Sequence, residues 1–161
     1  SFTSGIDDTY DSYVFKFYNM HPATDSVPLK FNMSTDSGSN YNVTKTTTFF
    51  RAYHNESDSA AALGYDTGAD LAQSTSFQEL SAYIGNGADE NCSGTLTLFS
   101  PSSTTFVKHF MSVTNGVEDR DYSWNSYIAG YGNTTSAVDA IRFQFSSGNI
   151  DSGVIKLYGV S

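Results

Sequence analysis

The sequence predicts an all-β protein: an antiparallel β-sandwich of jelly-roll type, with about eight strands in a single domain covering residues 1–161. The first observation is composition: Ser, Thr and Asn number 24, 17 and 11, whereas the helix formers Glu and Lys number only 4 and 5. The second is the 15% of aromatic residues, which supply the bulk of a core. The third is a series of short alternating segments separated by turn residues, without βαβ alternation.

The first half of the chain contains four of these segments. Their apolar residues recur with period two, as in Leu29, Phe31 and Met33. The predicted strands are Ser12–Met20, Val27–Ser34, Tyr41–His54 and Ser76–Ile84.

Three local features belong to these strands. The turn residues Asp36–Asn40 predict a hairpin between the second and third strands. The adjacent aromatics Phe49 and Phe50 predict a β-bulge. Ser76–Ile84 also fits a capped amphipathic helix, and the strand is favoured because its neighbours are strands.

The second half contains four more alternating segments. The dipeptide Asn115-Gly116 predicts a tight turn after the second of them. The predicted strands are Gly94–Ser100, Thr105–Thr114, Ala140–Ser146 and Gly153–Val160. Residues 55–70 form a long polar connection.

Charge and cysteine content exclude several classes of protein. Seventeen acidic residues against eight basic ones give a net charge of −9, which argues against a nucleic-acid partner. No run of 18 apolar residues exists, so the sequence predicts no membrane-spanning segment. Cys92 is the single cysteine, which excludes an internal disulfide.

Catalytic and metal-binding patterns are weak. The three histidines are not in metal-ligand spacing, and no base lies near Cys92 in the sequence. The acidic segments Asp7–Asp11 and Asp66–Asp70 could hold calcium, but ordinary turns explain them equally well. We therefore predict neither a catalytic site nor a bound cofactor or metal.

One aromatic cluster is the best candidate for a contact site. It lies in Y-S-W-N-S-Y-I-A-G-Y and comprises Tyr122, Trp124, Tyr127 and Tyr131. Aromatic rings beside Asn and Ser suit stacking on sugars and also suit protein interfaces. A role in the core or at a sheet edge is the alternative, because a sandwich core consumes much aromatic surface.

Several stretches together resemble a family of small virion proteins, structural or tail-fibre-like, of tailed and often marine bacterial viruses. The most specific element is the closing motif S-S-G-N-I-x-S-G-x-I-K-L-Y-G. The stretches are Phe2–Asp7, Tyr13–Asp25, Phe50–Glu56, Gly94–Phe110 and Tyr127–Val160. Family members often have extra residues before the first stretch, which implies an anchoring segment there.

The resemblance implies a location on the virion and carries over no catalytic residue. The expected function is that of a non-enzymatic capsid decoration protein, in which a sheet edge or end loop of a homotrimer contacts the shell. The first alternative is a tail-fibre or receptor-binding module that grips host glycans through the aromatic cluster. The second is a tail enzyme that degrades glycans. The expected partners are capsid or tail proteins, with neither nucleic acid nor membrane.

Overall fold

The computed structural model describes residues 1–161 and contains ten β-strands and no helix, which confirms the all-β class. The strands are β1 Ser12–Pro22, β2 Leu29–Ser34, β3 Lys45–Asn55, β4 Ala61–Tyr65, β5 Gln78–Glu79, β6 Cys92–Phe99, β7 Lys108–Glu118, β8 Tyr122–Gly132, β9 Ala140–Phe145 and β10 Ile150–Val160.

The strands form two antiparallel sheets. The large sheet has seven strands in the order β10-β1-β6-β7-β8-β3-β4, and the small sheet has three in the order β5-β2-β9. The two sheets pack face to face as a β-sandwich. The jelly-roll topology is not confirmed, because the strands divide seven to three rather than into two sheets of similar size.

The core lies between the sheets and is rich in phenylalanine. The ring centroid of Phe143 on β9 lies 5.2 Å from that of Phe15 and 5.0 Å from that of Phe17, both on β1. Phe31 on β2 meets Phe110 on β7 edge to face at 4.9 Å. Such tilted pairs are favourable beyond the area they bury, so these rings join the two layers.

The predicted hairpin around Asp36–Asn40 is wrong, because β2 and β3 lie in different sheets. β2 is the central strand of the small sheet, and its two edges are already paired with β5 and β9. The loop is instead held by Asp36, whose carboxylate accepts the backbone N–H of Asn40 at 2.8 Å. The chain therefore crosses from one layer to the other at this point.

The predicted bulge at Phe49 and Phe50 is also wrong. β3 pairs with β8 in one unbroken register from Lys45 to Asn55. The two aromatics simply point to opposite sides: Phe49 is buried in the core, and Phe50 stacks on Tyr127 outside it.

The predicted turn at Asn115-Gly116 lies inside β7, and the chain reverses only after Glu118. Gly116 is needed there for packing rather than for turning. A Cβ atom at this position would lie 2.7 Å from Cδ1 of Ile84 and 2.8 Å from Cβ of Cys92.

The structure contains no helix at Ser76–Ile84. This segment supplies the two-residue β5, and Ile84 forms a separate bridge with Val27, so the favoured strand interpretation holds over a shorter length. Two strands were not predicted. They are β4, within the expected long connection, and β8, which contains the aromatic cluster.

Candidate functional site

The structure divides the predicted aromatic cluster between the two sides of β8. Tyr122 and Trp124 point towards the inner side of the large sheet, whereas Tyr127 and Tyr131 point outwards, as alternation along one strand requires. The four rings therefore do not form one surface. Their role as contact residues remains a prediction.

Trp124 is held mainly by its own chain. Tyr53, directly opposite on β3, stacks on the indole at 4.9 Å with an interplanar angle of 16°. The Arg51 guanidinium lies 5.1 Å from the same ring, and the indole also packs against the core. These neighbours occupy ring surface that a stacked sugar would need.

A hollow of about 170 Å³ lies beside Trp124, between the middle of β3, the end of β7, the start of β8 and residues 66–83. Glu118 lines it with a side chain only 2% exposed, and Arg120 Nε donates to Glu118 Oε1 at 2.9 Å. Arg51 pairs with Asp66 at the same place. The indole N–H of Trp124 is buried without a partner. The hollow thus combines charged groups with the indole of Trp124, which suits a small polar group.

Three carboxylates, Asp66, Glu79 and Glu118, line this hollow, and Asp66 is the one paired with Arg51. A glycosidase needs two carboxyl groups placed on either side of the bond that it cleaves. Here Lys30 Nζ lies 3.0 Å from Glu79 Oε1, and Arg120 binds Glu118. Each carboxylate is thus already engaged by a cation of the same chain, as in structural ion pairs.

The histidines and the cysteine do not come together. His21 Nδ1 lies 2.6 Å from the carbonyl oxygen of Glu90, and His54 Nε2 lies 3.0 Å from Asp58 Oδ1. Cys92 is fully buried, and burial raises the pKa of its thiol to about 12. No group of three or more His, Cys, Asp and Glu side chains is close enough to hold a metal ion.

A further feature of the surface is the outer face, defined here as the outward-pointing side chains of the large sheet. Most of the large hydrophobic side chains that stay exposed belong to it. They are Tyr18, Phe50, Leu63, Tyr65, Phe99, Met111, Val113, Val154, Tyr158 and Val160.

The outer face contains no carboxylate among the outward positions of its regular ladders, although the chain has 17 acidic residues. Its only Lys or Arg side chains are Lys16 and Lys156, directly opposite each other on β1 and β10. An acidic protein that has no carboxylate at these outward positions, where exposed hydrophobic side chains lie among Thr, Ser, Asn and His, has the composition expected of a contact surface.

β7 shows how the sequence produces this face. Its inward positions include Lys108, Ser112 and Thr114, all buried, whereas Met111 and Val113 point outwards and are 58% and 45% exposed. The inward polar groups are satisfied locally: Ser112 Oγ, for example, donates to the carbonyl of Thr95 at 2.8 Å. Alternation in the sequence defined the two sides of this strand but did not indicate which was buried.

A groove of about 470 Å³ crosses the middle of the outer face. The small Ala129 on β8 lies between Thr48 and Met111, its direct neighbours on β3 and β7. Taller side chains surround it, including Tyr131 and Phe99. No Asp, Glu, Lys or Arg lines the groove, so it suits an apolar side chain of a partner.

Comparison of the chain with protein-family models, with curated proteins and with solved structures gives no match. No helix in the structure has the length and apolar character needed to cross a membrane.

Proposed function

We propose that the protein is a non-enzymatic component of the phage virion, a capsid decoration protein that attaches through its outer face. The observation that supports this function is the outer face, where ten exposed hydrophobic side chains lie and no outward position of the regular ladders is a carboxylate. The placement on a phage particle comes from the family resemblance of the sequence. Shell or tail proteins are the proposed partners.

The physical basis of attachment is burial of apolar area. Each Å² removed from water contributes roughly 25 cal/mol, and a standard interface buries about 800 Å² on each partner. Ordering and imperfect polar pairing offset much of this gain, so one contact contributes several kcal/mol at most. Many copies on a symmetric shell add such modest contacts, which is how a decoration protein strengthens a particle. The protein acts as a homo-oligomer; a trimer was the expectation for a decoration protein, and the mass of the protein in solution distinguishes a trimer from a dimer.

Copy number tests the location. Quantitative mass spectrometry of purified particles of the encoding virus should give hundreds of copies for each particle. A handful of copies would place the protein on the tail and contradict the decoration function.

Replacement of outer-face residues tests the attachment surface. Met111→Asp with Val113→Asp should abolish cosedimentation of the added protein with particles that lack it, because two charges would enter the contact. Phe106→Asp is the matched control, since Phe106 is 72% exposed and precedes β7 rather than lying on the outer face. Equal binding of both variants would exclude the outer face as the attachment surface.

The second candidate function is recognition of host glycans by a tail-fibre or receptor-binding module. The observation that favours it is the hollow beside Trp124, with its buried unpaired N–H and its ring of charged groups. Binding on a glycan array that is lost in Trp124→Phe, which keeps the stacking and removes the N–H, would support it. Release of reducing sugar ends from host polysaccharide would instead indicate the degrading enzyme.

A further inference from the structure

The edges of the two sheets are covered to different extents, and the longest uncovered edge is that of β10, with 11 residues, since β4 at the opposite edge of the large sheet has five. At the β9 edge of the small sheet, Phe2 exchanges backbone hydrogen bonds with Ile141, at 2.9 and 3.0 Å. This covers part of that edge. At the β10 edge of the large sheet, no backbone hydrogen bond outside the ladder with β1 involves residues 150–160. The outer row of N–H and C=O groups on β10 is therefore unpaired in the single chain.

β10 is also exposed along its whole length. Only Ile155 and Leu157 are half-buried, and the other nine of its 11 residues are exposed. Val154, Tyr158 and Val160 are 50%, 42% and 46% exposed. An edge strand with apolar side chains on both sides tends to pair with another strand.

The usual protections against such pairing are weak over residues 154–160. This segment pairs with residues 12–18 of β1 in an unbroken register, so no bulge turns it away. It has no proline and no acidic residue. Its one charge, Lys156, lies with Nζ 5.4 Å from the ring centroid of Tyr18, above the sheet rather than beyond its edge.

We propose that two copies of this chain pair through the β10 edge, antiparallel, over residues 154–160. An occupant of this edge must be an extended strand with apolar side chains on both sides, to match Val154 and Tyr158 on one side and Ile155 and Leu157 on the other. The β10 of a second copy meets these requirements and matches the edge in length. The inference goes beyond the proposed function and does not depend on it.

A single register pairs the whole segment with itself. It places the two-fold axis at Leu157, so that Val154 faces Val160 and Lys156 faces Tyr158 of the second copy. The two Lys156 side chains are then not directly opposite, which avoids a repulsive cross-strand pair. Lys16 already lies 5.4 Å from the Tyr158 ring centroid within one chain, so this ring accepts a cation.

The symmetry has a consequence for attachment. A two-fold axis through paired antiparallel edge strands runs perpendicular to the sheet, so both outer faces lie on the same side. The dimer therefore presents one apolar surface of double width to a single partner surface. Two linked contacts hold far more tightly than one.

Cysteine cross-linking tests the pairing. The native Cys92 should not cross-link, because it is buried and the pKa of its thiol is raised to about 12. In Leu157→Cys the two thiols would face each other across the axis, within disulfide reach, and mild oxidation should give a covalent dimer. Leu63→Cys on β4, the opposite edge of the large sheet, is the control that should stay uncrosslinked.

Two further measurements keep the test independent of how Leu157→Cys folds. The double variant Lys156→Cys, Tyr158→Cys places its thiols at exposed positions and should cross-link in the same register. Analytical ultracentrifugation of the unmodified protein should give the mass of a dimer. A monomer at high concentration, a trimer, or cross-linking through Leu63→Cys alone would overturn the proposal.

Discussion

Lys45 is the residue whose burial has the clearest energetic consequence. Its side chain is fully buried without a carboxylate partner. Its Nζ donates to the Asn32 side-chain oxygen at 2.5 Å and to the Val43 carbonyl at 2.8 Å. Burial disfavours the charged form and lowers the pKa of Lys45 to about 7. Keeping the Lys45 ammonium group charged in the folded protein therefore costs free energy and lowers the free energy of unfolding.

This cost predicts that the free energy of unfolding rises between pH 7 and 9, by about 2 kcal/mol. Over this range the unfolded chain keeps the Lys45 proton and the folded chain loses it, so raising the pH favours folding. Lys108, whose pKa is also lowered by burial, acts in the same direction. Above pH 9 the raised pKa of Cys92 has the opposite effect, since only the unfolded thiol ionises there. Urea unfolding at several pH values measures the rise.

Lys45→Met is the matched variant for this prediction, because it keeps the length of the side chain and removes the titrating group. The rise between pH 7 and 9 should become smaller in this variant. An unchanged pH profile would show that Lys45 does not titrate in this range.

Two glycines of the large sheet give a second prediction at this scale. A Cβ atom at Gly94 would lie 2.4 Å from the carbonyl oxygen of Val113 and 2.7 Å from Cα of Thr114, both backbone atoms that cannot easily move. At Gly64 a Cβ atom would meet nothing within 4 Å. Gly94→Ala should therefore lower the free energy of unfolding by about 1–3 kcal/mol, measured in urea. Gly64→Ala should change it by less than about 0.5 kcal/mol, and equal losses would contradict this account.

At the scale of elements, the pairing of Phe2 with β9 has a measurable role. The Phe2 ring lies 5.4 Å from Phe15 and 6.2 Å from Phe143, and its backbone pairs with Ile141. Phe2→Ala should lower the free energy of unfolding by about 1–3 kcal/mol, because a partly buried ring is lost. Hydrogen exchange should show faster exchange at the Ile141 amide. Unchanged exchange at the Ile141 amide would show that its backbone pairing with residue 2 forms without the Phe2 ring.

Period two was sufficient to predict most strands but not how they are arranged. Alternation in the sequence correctly separated the two sides of β7. The buried side carries Lys108 and Thr114 while Met111 is exposed, so the polarity of the side chains did not indicate which side is buried. Asn115-Gly116 has the residues of a turn. Only the close packing of Ile84 and Cys92 against Gly116 shows that a side chain would not fit at this position. Such contacts come from distant parts of the chain and leave no local signal.

The candidate site was predictable only in part. The aromatic cluster was visible in the sequence, but β8 was not assigned as a strand, so the division of Tyr122 and Trp124 from Tyr127 and Tyr131 was missed. The outer face draws its residues from seven strands. No single segment of the sequence shows a surface assembled from so many elements.

At the scale of the whole molecule, charge and apolar area are separated. The net charge is −9, yet the outer face and residues 154–160 of β10 carry no acid. Copies repel one another at long range and attract through these surfaces at short range. Added salt screens the repulsion and leaves the apolar contact intact.

The dissociation constant of the dimer should therefore fall several-fold when NaCl is raised from about 0.02 M to 0.3 M, since the screening length falls below about 10 Å. Sedimentation velocity over a range of protein concentrations gives the dissociation constant at each salt level. Weaker association in high salt would indicate that ion pairs, rather than apolar contact, hold the copies together.

The position of β1 between β6 and β10 also governs how the chain folds. Ser12 pairs with both Phe99 and Val160, so the strand nearest the start of the sequence acquires both neighbours from much later segments. Closing such large loops consumes chain entropy before any contact compensates for it. Refolding should accordingly take milliseconds to seconds, the range of proteins rich in non-local strand pairs. During synthesis, the pairing of β1 is complete only after residue 160 has been made.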